Sequence, residues 1–394
     1  MWQKPKSGQS IPDPNSHTHN NKTVLDSLSE DTGVLMFHGS PVSIGGGGTS
    51  SAYSAKDDIF NVITSPLKRA NIAFVGDSIT NGAGASAGNS WVSKTIDHIT
   101  KKFVTGNPVK VSAADLSYIT RLGGLQPDFT GALVAYPVSS ITNPPLGIQF
   151  SFYGTSFTLY TTFSSQGGKL TVNVDGLDIQ VIDCYISTAS AVTPVLIAGL
   201  TEGNHIVKIT LTSLGHTPNQ TYLSISDIEF TKVGRLENRG VNGSVSDALR
   251  TTPSLIKTDD DVIFICYGTN ERNLPRSTTF SKFDYQLNLV ETKIGHKRII
   301  LLAPNPVWAS DENAKTGFHQ EDTSSEYKKI AKRREYMFIS HYQAIIDYCL
   351  YSGKTIDQTL ADSLHPNDTG HDAMFKNVLR SLELAMIRDG RTVY

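Results

Sequence analysis

An α/β rhythm that starts, lapses and resumes is the strongest constraint on what this chain can fold into. Asn71-Ile72-Ala73-Phe74-Val75 is a continuous apolar run ending in a Gly-rich turn, and Trp91, Ile96, Ile99 and Phe103 then recur at helical spacing over 90–103. Strand, turn and helix in that order are the unit of a parallel sheet covered by helices. The rhythm then stops. Residues 104–233 offer strands only, at 148–153, 157–163, 170–174, 179–182, 195–197, 205–211 and 222–230, with Asp175-Gly176 as a hairpin turn. Seven short strands between turn signals predict a β-sandwich. After 234 the rhythm returns, with strands expected at 261–267, 298–303 and 336–339 and helices at 281–294, 325–334 and 372–388. The simplest organisation is one α/β domain, residues 59–103 and 234–394, split by an inserted β-sandwich at 104–233. With roughly 150 residues to a domain, 394 residues accommodate it.

The beginning of the chain is different. Residues 1–22 are polar; a helical pattern over 22–30 puts Val24, Leu25 and Leu28 on one face, Gly33 ends it, and 34–42 reads as a strand. Gly45 to Gly48 lie in a Ser/Gly-rich stretch that reads as a linker, 46–58. One helical turn and one strand cannot bury a core, so the segment 1–45 is expected to dock on another chain or surface. A formal charge of -2 with no polybasic run argues against nucleic acid or an anionic membrane as partner. The longest apolar runs are far too short to span a bilayer, and Met1-Trp2-Gln3-Lys4-Pro5 opens no signal-peptide core. Three scattered cysteines, Cys184, Cys266 and Cys349, form neither a disulfide framework nor a CxxC site.

Four polar blocks carry the chemistry. Gly76-Asp77-Ser78-Ile79-Thr80 directly follows the first apolar strand, where α/β folds place ligands. It reads as a nucleophile beside a helix N-terminus, or as an N-cap or phosphate cradle. Asp362-Ser363-Leu364-His365-Pro366-Asn367 spaces a carboxylate and an imidazole so that one short loop can hold both in hydrogen-bonding reach; the alternative is a capped helix start. Asn238-Arg239-Gly240-Val241-Asn242-Gly243-Ser244 brings a glycine N–H to a strand end, and Gly268-Thr269-Asn270-Glu271 brings an Asn amide to another. Gly84-Ala85-Ser86-Ala87-Gly88 matches a G-x-S-x-G elbow, but Ser86 stands some ten residues past the strand that such an elbow must directly follow.

The order Gly-Asp-Ser, Gly-x-x-Gly, Gly-Thr-Asn, Asp-x-x-His resembles the SGNH (GDSL-type) serine hydrolase family over residues 66–103 and 234–394. The resemblance implies a three-layer, flavodoxin-like α/β fold with a parallel sheet. It implies Ser78 as nucleophile, His365 as general base and acid, and Asp362 as its orienting carboxylate. Ser78 N–H, Gly243 N–H and the Asn270 amide would form the oxyanion hole, and no cofactor is implied. Glu271 departs from the Asp more usual there. The insertion resembles jelly-roll modules of carbohydrate esterases, and its Phe150, Tyr153, Phe157 and Tyr160 read as sandwich core or as sugar-stacking faces; in the α/β part, Trp308 follows a strand and reads as a cleft residue. The stretch that opens with Ser16-His17-Thr18-His19 and runs to Gly39 resembles a segment near the N-termini of phage tail-fibre and baseplate proteins. That implies a homotrimer held to other tail or baseplate proteins, with His17 and His19 either exposed or meeting at a trimer axis around a metal. Together the resemblances lead to a virion-borne esterase that removes O-acetyl groups from a host surface polysaccharide or wall polymer. The rivals are a cellular lipid or small-ester hydrolase of the same family and a non-catalytic glycan-binding adhesin.

Overall fold

The computed structural model describes residues 55–104, 108–123, 125–127, 133–138, 146–188, 190–214 and 221–384, with short strands at 28–31, 34–37, 40–41, 386–388 and 391–393. Residues 1–53 and 54–394 form two compact units. In the first, Leu28–Asp31, Val34–Phe37 and Ser40–Pro41 make a small antiparallel sheet. Leu28 to Glu30, expected to end a helix, are therefore strand, with Leu28 paired to Phe37 and Asp31 to Val34. His17, His19, the helical pattern before Leu28 and the linker's Gly45 to Gly48 lie outside the described residues.

In the second unit five parallel strands form one sheet, Ala70–Gly76, Gly234–Gly240, Val262–Cys266, Ile299–Ala303 and Met337–Ser340 in chain order. Their spatial order is 2-1-3-4-5, the flavodoxin-like arrangement, whose switch point lies between strands one and three. Strand side chains alternate between two helix layers. Ile72, Phe74, Phe264 and Leu302 face a core shared with helices Ala55–Thr64, Trp91–Ile99, His341–Ser352 and Asp368–Ser381. Ala73, Val75, Ile265 and Leu301 face the opposite core, built with helices Arg276–Ile294 and Gln320–Arg334. Both faces being covered explains why the strands read as unbroken apolar runs. Phe74 stacks on Phe264 at 4.5 Å and takes the edge of Trp91 at 5.6 Å, pairs worth about 0.5–1.5 kcal/mol each beyond their burial.

Between the first and second parallel strands the chain builds two antiparallel sheets. Ile148, Phe150, Val172 and Ile209 from one and Phe157, Leu159, Ile225 and Phe230 from the other belong to a single apolar cluster. All seven expected strands are present, and Val109–Ser112, Thr120–Leu122, Gln126–Pro127 and Leu133–Val138 join them. Burial removes two of the four aromatics as sugar-stacking faces. Phe150 and Phe157 are core, while Tyr153 lies under the Arg69 guanidinium at 5.0 Å and Tyr160 under the Lys110 ammonium at 3.7 Å. The last helix also ends early, at Ser381 instead of 388, because Glu383 turns left-handed at φ 57° and Leu384 N–H closes on Leu379 O at 2.8 Å.

The antiparallel part is anchored to the parallel part by buried polar ties. Tyr153 N–H donates to Leu67 O at 2.9 Å, and Ala70 N–H donates to Val233 O where the chain returns. Lys232, only 5% exposed, donates from Nζ to the carbonyls of Val62, Ile63 and Ser65 at 2.6–2.8 Å, closing the C-terminal end of helix Ala55–Thr64. Lys232→Met keeps the bulk but removes the ammonium from the Val62 and Ile63 carbonyls, while Ser65 O retains only the Lys68 N–H at 3.4 Å. Urea unfolding is expected to show a loss of about 3 kcal/mol or more, against little change for Lys208→Met on an exposed strand face.

Candidate active site

The parallel strands deliver their polar blocks to one edge of the sheet. Gly76 ends the first strand in a space that admits no side chain: a Cβ there would stand 2.2 Å from both Cys266 O and Thr80 Oγ1. The chain then turns sharply, with Asp77 as N-cap accepting the Ile79 N–H at 3.0 Å and Ser78 as the first residue of a four-residue helix, Ser78–Asn81. So short a helix has no macrodipole of consequence. Any stabilisation of negative charge must come from individual N–H groups, and that of Ser78 has no intrahelical acceptor by position.

The structure brings Ser78, His365 and Asp362 together. His365 Nε2 lies 2.9 Å from Ser78 Oγ, and its Nδ1 lies 2.8 Å from Asp362 Oδ2. The second carboxylate oxygen of Asp362 accepts the N–H groups of Leu364 at 2.8 Å and His365 at 2.7 Å. Partial burial opposes ionisation, but these N–H groups and the imidazole hold the Asp362 carboxyl below its usual range. An ionised Asp362 fixes the Nδ1–H tautomer and leaves Nε2 to accept the Ser78 proton. The Asp362 side chain is 57% exposed, so orientation rather than buried charge is its contribution.

Two contacts set the height of the His365 loop. Gly84, at φ 90°, lies so close that a Cβ would come within 2.3 Å of Pro366 O and 3.0 Å of the His365 Cβ. Ser86 donates its N–H and Oγ–H to Asp368 at 2.7 and 2.6 Å, which answers the elbow reading: Ser86 braces the site's edge. His371 locks the same segment, accepting Trp91 N–H at Nδ1 and donating from Nε2 to Ala83 O at 3.2 Å. Burial lowers its pKa to about 4, and the neutral ring matches one acceptor and one donor. On the other side Asn305 Nδ2 donates to Leu364 O at 3.1 Å and Trp308 N–H to Ser363 O at 3.0 Å, so half-buried Trp308 stands beside the His365 loop.

The remaining blocks meet each other. Asn270 Nδ2 donates to Ser244 O at 2.8 Å, clipping the third block to the second and leaving that amide one further N–H. Gly243 is left-handed at φ 70° with open space where a Cβ would be. Glu271, the departure from the more usual Asp, is 2% exposed and accepts Ser246 N–H at 2.6 Å and Gly268 N–H at 3.1 Å. Its extra methylene, relative to Asp, extends its reach towards the Ser246 strip. Arg272 next to it is equally buried and pairs with Asp311 and Glu312, beyond Trp308. Among the described residues no group of three or more His, Cys, Asp or Glu side chains could hold a metal ion.

Asp77 and Glu271 are two buried carboxyls behind the serine. Burial first, and the charge of Glu271 with it, push Asp77 up to about 7, while one of its oxygens has no partner. A carboxyl raised in the folded state binds its proton more tightly there, so its ionisation costs stability as pH rises from about 3.8 to about 7. Asp77→Asn can still cap Ile79. Its melting temperature relative to wild type is expected to be nearly unchanged at pH 4, to rise through pH 5 and 6, and to level off above pH 7; a difference independent of pH would refute the assignment.

No protein-family model and no curated protein matches the chain. Among solved structures it is similar to a peptidoglycan O-acetylesterase, at TM-score 0.38 and 15% identity over 84% of this chain and 95% of that one. It is similar to Axe2, an acetylxylan esterase from Geobacillus stearothermophilus, at TM-score 0.34 and 18% identity over 40% and 76%. A third likeness is to LAE5, an alpha/beta hydrolase enzyme from the metagenome of Lake Arreo, Spain, at TM-score 0.39 and 12% identity over 80% and 95%. At these identities and scores, the site is read from its own geometry.

Proposed function

We propose that this chain is a serine esterase of the SGNH type. The observation that carries the reading is the hydrogen-bonded chain from Ser78 Oγ through His365 to Asp362, at 2.9 and 2.8 Å, at the carboxyl edge of a parallel sheet. Ser78 Oγ attacks the ester carbonyl as its proton passes to His365 Nε2. Negative charge develops on the carbonyl oxygen, facing Ser78 N–H, Gly243 N–H and the free Asn270 N–H. As the intermediate collapses, the leaving alcohol takes the proton from His365 and the acyl group stays on Ser78. Water, deprotonated by the same nitrogen, then releases the acid and restores the serine.

For the substrate we propose O-acetyl groups on a polysaccharide or wall glycopolymer, and for the setting a virion tail, with residues 1–45 attaching the enzyme as a homotrimer. Both rest on the sequence resemblances of the insertion and of the first forty residues. A lipase of the same family would prefer longer acyl chains, and a binding-only adhesin would have no use for a serine poised on an imidazole.

Turnover of p-nitrophenyl acetate beside an eight-carbon ester tests the reading. Ser78→Ala is expected to lose about a thousandfold or more in kcat/KM, with the acetate preferred in wild type. Equal turnover by wild type and Ser78→Ala refutes a serine esterase. Asp362→Asn is expected to cost about a hundredfold, less than removal of a buried triad acid, because water can take over part of an exposed carboxylate's role. Gly84→Ala displaces the His365 loop by about an ångström and should lower kcat about a hundredfold with KM nearly unchanged.

A further inference from the structure

The two backbone N–H groups of the oxyanion hole, those of Ser78 and Gly243, belong to loops after different strands, so their common aim must be built. The first two parallel strands pair as far as Gly76 and Gly240, and Val241 N–H still donates to Gly76 O at 2.9 Å. There the serine's turn and the second strand meet backbone to backbone: a Cβ on Gly240 would stand 2.3 Å from Asn81 N. Asn238 fastens this approach, donating from Nδ2 to Thr80 O at 3.0 Å while its Oδ1 accepts Gly240 N–H at 2.9 Å. These ties stop at Val241, two residues short of Gly243.

Residues 241–244 form a turn closed by Ser244 N–H on Val241 O at 3.1 Å. Of its two central residues only Gly243 is left-handed, at φ 70°, which is the pattern of a type II turn. Type I and type II turns differ in the direction that the central peptide faces. Here that peptide joins Asn242 to Gly243, and its N–H is the oxyanion donor. Glycine accepts negative φ as readily as positive, so residue 243 by itself permits the flipped turn, with the N–H facing away. The donor's direction therefore depends on a contact at Asn242.

Asn242 has one. Its Oδ1 accepts from Asn81 Nδ2 at 2.9 Å, and Asn81 is the last residue of the helix that Ser78 opens. Gly82 N–H on Ser78 O and Asn81 N–H on Asp77 O, both at 3.0 Å, tie that helix end back to the serine. On the far side of the turn, Ser244 O takes the Asn270 amide and Ser246 N–H takes Glu271. We propose that Asn81 and Asn242 are positioning residues of the esterase: their bond holds the Asn242–Gly243 peptide in the type II orientation, with its N–H aimed where the Ser78 N–H points. The proposal rests on the esterase reading. Both side chains are exposed, so water can replace the bond without unfolding the protein, but water cannot fix the peptide's direction.

The test measures kcat and KM for p-nitrophenyl acetate in Asn81→Ala, Asn242→Ala and the double variant, beside wild type and Ser78→Ala, with melting temperatures checking the fold. Removing an oxyanion donor outright costs about a hundredfold or more, and one that faces the site part of the time costs less. Each single variant is expected to lose about tenfold in kcat with KM nearly unchanged, because acylation and deacylation both pass through an oxyanion and slow together. The double variant should lose no more than either single one, since all three remove the same bond. The pair is refuted if both single variants keep kcat within about twofold of a wild type whose turnover needs Ser78, if the loss falls on KM alone, or if the losses multiply in the double variant. Turnover indifferent to Ser78→Ala is a separate result: it refutes the esterase reading and the pair's role with it.

Discussion

The reactive end of this protein depends on a contact between two loops 287 residues apart, the bond of 2.9 Å between Ser78 Oγ and His365 Nε2. Neither loop can set that distance alone. The serine's height is fixed by the first parallel strand and by a turn too tight for any side chain at position 76. The histidine's height is fixed by Gly84 against Pro366, by Ser86 on Asp368 and by His371 under Ala83. These are short polar contacts and backbone approaches, which move little because each has only one good geometry.

The same edge concentrates polar groups that a core ordinarily excludes. Asp77, Glu271 and Gln286 are all under 5% exposed, and Asp77 and Gln286 each keep an oxygen without a partner. Glu271 resolves part of this conflict by joining the strips that follow Gly243 and precede Asn270. The Asp77 carboxyl is raised first by its own burial, and the charge of Glu271 adds to that. Two apolar cores on the faces of the parallel sheet and one between the antiparallel sheets supply the stability on which such a site can rest.

Much of the fold was legible because its signals are local. Apolar runs such as 71–75 and 262–266 can only be strands covered on both faces, and Lys169 to Val174 alternates as a half-buried strand must. Short edge strands, such as Thr120–Leu122, were not, because three residues carry no period. Leu28 to Glu30 were misread because a helical stripe and a hairpin strand place apolar residues alike over so few positions. Phe150 and Phe157 offered two readings that only burial could separate.

The sequence by itself determined the chemistry on offer: a serine after an apolar strand, a carboxylate three residues before an imidazole, a glycine and an asparagine at two further strand ends. Those are spacings within single loops, and chain connectivity enforces them. Only the tertiary structure decided the rest. The 2-1-3-4-5 strand order carries the first three blocks to one edge of the sheet, and the Ser78–His365 contact seats the fourth loop on the first. Glu271 gained a positioning role, Ser86 became a brace, and Asn81 came to hold Asn242. The physical reason is that such contacts join residues distant in the chain, and nothing in their local neighbourhoods encodes the partner.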